Sequence, residues 1–192
     1  MPSSLVLPVV LLLAATGEPR VLERILAVVD GKPILLSDVR VTEAMKGVTR
    51  KQAVEALIDE SLMLREAARA PQAEAKPEEL EGAQEALVGH WPAGVGPVPT
   101  LALREAARRQ VRILKYIEFR FRPQARVEDA AVREAYESDL QGREGDPGFE
   151  AARDGLKERL ERRRLDEEVE AWVKELRSSA EIRYNALDED AP

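Results

Sequence analysis

Two long stretches of the chain, residues 100–121 and 149–180, contain no proline and carry apolar residues at intervals of three and four. This spacing places the apolar side chains along one face of an α-helix, so each stretch predicts a long helix with one buried face. Alanine, leucine, glutamate and arginine dominate the composition and favour helix, and an aromatic content of 4% argues against a large β-sandwich or barrel. We therefore predict a mainly α fold.

A β-hairpin is predicted near the start of this fold. Residues Ile25–Val29 and Pro33–Leu36 are short apolar runs on either side of Asp30-Gly31-Lys32. Asp-Gly between apolar runs predicts a tight turn, because glycine adopts a positive φ angle without steric cost. Since Pro33 has no N–H to donate to a neighbouring strand, the second run is expected to form an edge strand.

Capping residues and helix breakers divide the rest of the chain. Ser37 is expected to be the N-cap of a short helix, and Thr49 forms a capping box with Gln52 for the next one. Pro77 suits the first turn of a third helix, and Thr100 is expected to cap the first of the two long helices. The other segments are a proline- and glycine-rich loop over 89–99, a weaker helix over 127–140, a turn-rich break over 141–148 and a closing strand over 181–184.

The first 17 residues form a segment that is separate from this fold. Residues 5–16 are uncharged and apolar, but they are too short to span a bilayer, which needs about 20 apolar residues. Small residues before position 18 suit cleavage after Gly17, although no basic residue precedes the apolar run. We predict a signal peptide over 1–17 and a periplasmic or secreted protein; the alternative is a buried N-terminal helix or strand.

The residue inventory excludes several kinds of functional site. The 192 residues include no cysteine, which excludes disulfides, thiolate metal sites and cysteine nucleophiles. His90 is the only histidine, so the chain has no His–His metal site, and a Ser–His–Asp triad could use only that residue. No glycine-rich phosphate loop, zinc-ligand spacing or nucleophile elbow occurs. We expect no metal and no cofactor.

Two parts of the sequence resemble one known protein family. RILAVVDGKPILLSDV at 24–39, followed by ALIDESLMLREA at 56–67, resembles the N-terminal region of SurA-type periplasmic chaperones. Residues 149–184 resemble the C-terminal helix and strand that close the same chaperone core; the specific part is the run of Trp172, Leu176, Ala180 and Ile182.

The resemblance implies a SurA/trigger-factor-like, helical peptide-binding core with a small β-hairpin and a C-terminal strand. This core would be a single domain over 18–192. Its parts would be an N-terminal part over 21–126, a short connection over 127–148, a C-terminal segment over 149–184 that packs back on the first part, and a frayed acidic tail over 185–192.

The chain departs from the family pattern at its middle. In the family, a parvulin isomerase domain of about 100 residues commonly lies between the two parts, whereas only residues 123–148 separate them here. A parvulin site is also expected to hold a pair of histidines, but only His90 is present, in a loop without the isomerase motifs. The resemblance therefore implies the chaperone core without its catalytic module, and we expect no enzymatic activity.

Two pairs of residues were considered as catalytic or ligand-stacking groups. Asp59 and Glu60 are adjacent, so on a helix their side chains point about 100° apart, which favours solvated or helix-pairing charges over an acid–base pair. His90 and Trp91, beside Pro92, could stack on a ligand. A capping or loop-packing role is the favoured interpretation.

Basic residues are concentrated in one stretch of the sequence. Residues 100–126 carry a net charge of +6, against −13 for the rest of the chain. The favoured interpretation is pairing with acidic neighbours, such as the start of the helix at Pro77 or residues 166–170, with some role in attracting acidic clients. A nucleic-acid or acidic-membrane surface is disfavoured by the expected export and by the overall charge of −7.

The leading functional interpretation is an ATP-independent holdase for unfolded outer-membrane or secreted polypeptides. Such a chaperone needs an exposed apolar groove, and it needs no nucleotide because weakly bound clients leave by mass action. The candidate groove residues, each of which could instead be a core residue, are Met45, Met63, Leu87, Trp91, Val111 and Leu114.

The expected partners and the alternative functions follow from the same interpretation. We expect unfolded polypeptide clients, no nucleic acid, transient proximity to the membrane or to the outer-membrane assembly machinery, and a monomer or weak homodimer. One alternative is a peptidyl-prolyl cis-trans isomerase, which the missing module disfavours. The other is a non-catalytic adaptor that binds one folded partner.

Overall fold

The structure is a computed structural model that describes residues 23–140, 142 and 145–185. These residues fold mainly as α-helix with one small antiparallel sheet, which confirms the predicted fold class. The predicted signal peptide over 1–17 and most of the predicted acidic tail lie outside the described residues. The elements are β1 (Ile25–Val29), β2 (Lys32–Leu35), α1 (Leu36–Lys46), α2 (Arg50–Ala67), a 3₁₀ turn (Pro71–Ala73), α3 (Pro77–Gly89), α4 (Thr100–Arg120), α5 (Asp129–Asp139), α6 (Phe149–Ser179) and β3 (Ile182–Tyr184).

The sheet joins the two ends of the described chain. Its strand order is β2-β1-β3, with both neighbours antiparallel to β1, so that β2 is an edge strand as predicted. The hairpin turn has φ angles of 47° at Asp30 and 80° at Gly31, as a tight two-residue turn requires. On the other side of β1, the Asn185 N–H donates to the carbonyl of Leu26 at 3.0 Å.

The sheet, α1, α2 and the end of α6 enclose the main hydrophobic core. Leu26 on β1 and Ile58 and Leu62 on α2 are among its fully buried side chains. Helix α6 contributes the buried Leu176, and Trp172 packs against the same cluster. The C-terminal segment therefore supplies part of the core that the N-terminal hairpin and helices need.

Helix α6 also holds two further clusters along its length of about 46 Å. Near its start, Leu156 packs with Val132 and Tyr136 of α5. Near its middle, Leu165 packs with Phe121, the residue that follows α4. One helix thus provides the apolar surface for three separate groups of elements.

The prediction of Ser37 as an N-cap is wrong. Helix α1 begins at Leu36 and has Leu35 in the N-cap position, which places Ser37 in the first turn. The Ser37 N–H donates instead to Oε1 of Glu23, at 3.2 Å. Burial would raise the pKa of Glu23, but hydrogen bonds from Ser37, Arg24 and Leu36 hold this pKa below its usual range. The Glu23 carboxylate, which lies outside α1, thus accepts a hydrogen bond from the first turn of the helix, as an N-cap side chain would.

The other two predicted caps have opposite outcomes. Helix α4 begins at Thr100 itself with Pro99 in the N-cap position, so the prediction for Thr100 is wrong; its hydroxyl donates to the Val98 carbonyl at 3.5 Å. The capping box of α2 is confirmed. The Gln52 N–H donates to the Thr49 hydroxyl at 3.4 Å, and the Thr49 N–H donates to the Gln52 side chain at 3.0 Å.

The basic helix α4 pairs with acidic side chains that precede it in the chain. Lys115 donates to Glu79 in the first turn of α3 at 2.7 Å, and Arg112 donates to Glu74 at 2.9 Å. The predicted pairing with the start of the third helix is therefore confirmed. Within the described chain, the salt bridges of α4 do not reach residues 166–170.

Removing the C-terminal segment should destroy the fold. We expect a chain that ends at Gly148 to aggregate, because it lacks α6 and β3 and exposes the apolar core around Leu26 and Leu62. Light scattering and thermal unfolding followed by circular dichroism would measure this. A control chain that ends at Asn185 keeps the described contacts and should melt cooperatively. A soluble, cooperatively melting fragment ending at Gly148 would contradict the prediction.

Candidate functional site

The loop between α3 and α4 is closed by hydrogen bonds of its own residues. His90 is the C-cap of α3, and its Nδ1 lies 2.6 Å from the Ala86 carbonyl oxygen. Indole Nε1 of Trp91 donates to the Gly96 carbonyl at 3.3 Å. Positive φ angles at Gly94 and Gly96 turn the chain back between these contacts. The favoured interpretation of His90 as a capping residue is confirmed.

This loop and helix α1 form the two walls of an apolar groove with a volume of about 610 Å³. We call it the α1–loop groove. Its lining residues are Ser37, Arg40, Val41, Glu43, Ala44, Trp91, Val95, Pro97, Pro99 and Ala102. The walls are mostly aliphatic, aromatic or proline surface, and one cation and one carboxylate lie on the α1 side.

Several exposed apolar side chains belong to the stretch of chain, residues 88–101, that supplies one wall of the groove. Val95 in the lining is 53% exposed, and Leu101 in the first turn of α4 is 74% exposed. Val88 and Val98, also exposed, lie in the same stretch of chain. These four are half of the eight large apolar residues that are exposed in the part of the chain that the structure describes. A cluster of this kind marks a surface on which another apolar group can be buried.

Arg109 ties the two helices at the groove to α2. It lies on α4, forms an ion pair with Glu60 of α2, and donates from Nη2 to Asp38 of α1 at 3.3 Å. Burial would lower the pKa of Arg109, but the two carboxylates outweigh this and raise it above its ordinary value. The guanidinium therefore stays charged and holds α1 and α4 at a set distance from α2.

A second arginine fastens α6 to α2. Arg177 pairs with Asp59 and donates to Glu55 at 2.9 Å. The hydrogen bond to Asp59 is the main cause that raises the pKa of Arg177, against the lowering effect of burial. The adjacent Asp59 and Glu60 thus point to different helices, α6 and α4. This confirms helix-pairing charges, the interpretation favoured from the sequence.

The structure places the six candidate groove residues on several elements. Trp91 lines the α1–loop groove, and the other five do not. Met63 packs against the main core, Leu114 is 59% exposed on the C-terminal half of α4, and the other three are half-buried. The structure brings none of these five to the groove, and a contact between any of the six and a client stays a prediction.

Val95 and Leu101, two exposed apolar residues of the same stretch of chain as Trp91, were not predicted from the sequence. Apolar periodicity identifies stripes along helices, and neither residue belongs to such a stripe. The signal that could have found Val95 is an apolar side chain placed among the glycines and prolines of 92–99. Such a residue has no helix face on which to be buried, so exposure is its expected state.

The described residues contain neither a candidate metal site nor a candidate membrane-spanning helix. Among residues 23–140, 142 and 145–185, no group of three or more histidine or acidic side chains could hold a metal ion. Over the same residues, no helix combines the length and the apolarity that crossing a bilayer requires.

Comparison with known proteins adds no relative to this description. No protein-family model matches the chain, and no curated protein matches it.

Replacing Arg109 should destabilise the protein. In R109M the carboxylates of Asp38 and Glu60 lose their shared cation while they remain half-buried, so we expect a loss of about 1–3 kcal/mol in the free energy of unfolding. Urea unfolding followed by circular dichroism would measure it. R162M is the matched control, because Arg162 is exposed and pairs only with Glu158 in its own helix; we expect a change of less than about 0.5 kcal/mol. Equal losses in both variants would contradict the role of Arg109.

Proposed function

We propose that the protein is an ATP-independent holdase that binds unfolded polypeptides in the α1–loop groove. The observation that supports this most directly is an apolar groove of about 610 Å³ with the exposed Val95 in its lining and the exposed Leu101 next in the chain to the lining residue Ala102. A folded protein rarely leaves such a surface uncovered without a binding role. The resemblance of residues 24–39, 56–67 and 149–184 to SurA-type chaperones supports the same proposal.

Apolar contact would supply the affinity. Burying about 200 Å² of apolar surface contributes about 5 kcal/mol before the cost of ordering the client is subtracted. The net binding at one groove is then weak and reversible. Clients would leave by mass action when they fold or are taken up elsewhere, so release needs no nucleotide.

The charged edge of the groove would contact the client backbone. Arg40 and Glu43 lie three residues apart on α1 and both line the groove, so their side chains share one side of the helix. The Arg40 guanidinium can donate to a peptide carbonyl. The Glu43 carboxylate, which pairs with Arg50 at 3.4 Å, can accept from a peptide N–H with its other lone pairs. Contacts of this kind do not depend on the client's sequence, which suits a chaperone with many clients.

The proposal also covers the location of the protein and its lack of enzymatic activity. We place the protein outside the cytoplasm, in the periplasm or beyond it, on the basis of the predicted signal peptide over 1–17, and we propose outer-membrane or secreted polypeptides as its clients. We also propose that it is not an enzyme, because the sequence lacks the module that carries isomerase activity in SurA-type proteins. A proline-isomerisation assay with the purified chain is therefore expected to show no acceleration.

The decisive experiment measures the aggregation of a chemically unfolded outer-membrane protein by light scattering, with the purified 18–192 chain added at increasing ratio. We expect scattering to fall as the ratio rises. V95S/L101S should need about five-fold more protein for the same suppression, since it loses about 1 kcal/mol of apolar contact. Both side chains are exposed, so the fold should tolerate the change.

The matched control variant is L114S/F119S. It removes two other exposed apolar side chains, which lie on the C-terminal half of α4 and outside the lining of the groove. We expect it to suppress scattering as well as the parent chain does. If the control loses suppression and V95S/L101S keeps it, the client surface is not the α1–loop groove. No suppression by the parent chain at excess would overturn the holdase proposal and favour an adaptor for one folded partner.

A further inference from the structure

A second cavity, of about 500 Å³, opens where the ends of α2 and α4 meet α6. Three of its lining residues are Tyr116, Phe121 and Trp172, and two others are Glu168 and Glu175. We call it the aromatic cleft. It shares no lining residue with the α1–loop groove.

The three aromatic rings form a joined surface inside the cleft. The ring centre of Trp172 lies 5.3 Å from that of Tyr116 and 5.1 Å from that of Phe121, and the other two are 6.4 Å apart. Phe121 is only 6% exposed and belongs to the packed core. Tyr116 and Trp172 are half-buried, so parts of their rings remain accessible from the cavity. The faces of aromatic rings carry partial negative charge.

Two carboxylates lie on either side of the indole ring. Glu168 is four residues before Trp172 and Glu175 is three residues after it, so all three side chains share one face of α6. Both glutamates are exposed and line the cleft. None of the ion pairs found in residues 23–140, 142 and 145–185 includes Glu168 or Glu175, whereas Glu66, a third acid in the lining, is already paired with Arg65 and Arg69.

Two arginines of the chain itself, Arg65 and Arg120, line the aromatic cleft. The guanidinium carbon of Arg120 lies 5.4 Å from the centre of the Phe121 ring, within the range of a cation–π contact. Arg65 also lines the cleft, but it is held by Asp30 and Glu66. Trp172 takes part in none of the cation–π contacts of the described residues.

We propose that the aromatic cleft binds an arginine or lysine side chain of the unfolded polypeptide, with the cation over Trp172 and between Glu168 and Glu175. The ring attracts the cation electrostatically, tryptophan more strongly than the other aromatic residues, and the carboxylates add charge pairing from both sides. This inference rests on the proposed function and names a feature of its clients: an apolar segment and a basic residue on the same chain. Two weak contacts on one polypeptide raise the overall affinity above that of either one.

The two tryptophans of the chain lie one at each site, so W91F leaves Trp172 as the only indole reporter. In this background we would titrate a ten-residue peptide of glycine and serine with three arginines, and its counterpart with neutral citrulline at the same positions. Trp172 emission should change saturably with the arginine peptide, and the citrulline peptide should bind at least about five-fold more weakly. Equal affinities for the two peptides would overturn the inference.

Charge variants separate the cleft from the general attraction of an acidic protein for a basic peptide. In the W91F background, E168Q/E175Q should weaken binding of the arginine peptide by about five-fold. D166N/E170Q removes the same two charges from exposed positions of the same helix that do not line the cleft, and it should weaken binding by less than about two-fold. Equal weakening in the two double variants would overturn the inference.

The titration and the aggregation assay fail independently. If the parent chain suppresses aggregation but the Trp172 titration does not distinguish arginine from citrulline, the cleft inference alone is overturned. If the titration gives the expected results but scattering is not suppressed at excess, the holdase proposal is overturned, and the cleft stands as a binding site for basic peptides.

Discussion

The apolar side of α6, buried against three groups of elements in turn, is the interaction on which the other parts of the protein depend. Its first turns cover α5, its middle covers the end of α4, and Leu176 near its end enters the core between the sheet and α2. Strand β3 then pairs with β1 and leaves no free edge on that side of β1. A two-stranded hairpin is marginal on its own, so the third strand and the packing of the sheet on α2 and Leu176 of α6 stabilise β1 and β2.

Arginines that bridge helices complement this apolar packing. Arg109 lies on α4 and Arg177 lies on α6, and each of them pairs with a carboxylate on α2. Both arginines are partly shielded from water. Removing one partner of a shielded ion pair costs more of the free energy of unfolding than removing one partner of an exposed pair, because a charge is left unpaired. The apolar core determines that these helices pack together, and the arginines restrict how they are placed. The α1 wall of the α1–loop groove depends on this placement, because Arg109 also pairs with Asp38 of α1.

The two proposed binding surfaces are formed mostly by side chains that packing of the hydrophobic core leaves accessible. The α1–loop groove consists of loop and helix surface that α6 does not line, and the aromatic cleft lies where the ends of α2 and α4 meet α6. One site offers aliphatic and proline surface, and the other offers aromatic faces between carboxylates. Under the proposed function, a polypeptide with both apolar and basic residues would contact both sites.

Much of the fold could be predicted because it depends on neighbouring residues. Asp30-Gly31 specified the hairpin turn, Pro33 the edge strand, and Thr49 with Gln52 the start of α2, since each acts within a few residues. The caps at Ser37 and Thr100 could not be predicted correctly. At Ser37 the carboxylate of Glu23, fourteen residues earlier, hydrogen-bonds to the first turn of α1.

The binding surfaces needed the assembled molecule for the same reason. Helical periodicity shows that a residue such as Met63 or Leu114 lies on an apolar face, but not whether another helix covers that face. Packing buried part of Met63 against the main core and left Leu114 exposed. Local sequence was therefore enough for the helices, the hairpin and the pairing character of the charges. The cavities and their lining arose from contacts between residues distant in the chain, because exposure depends on what packs nearby in space.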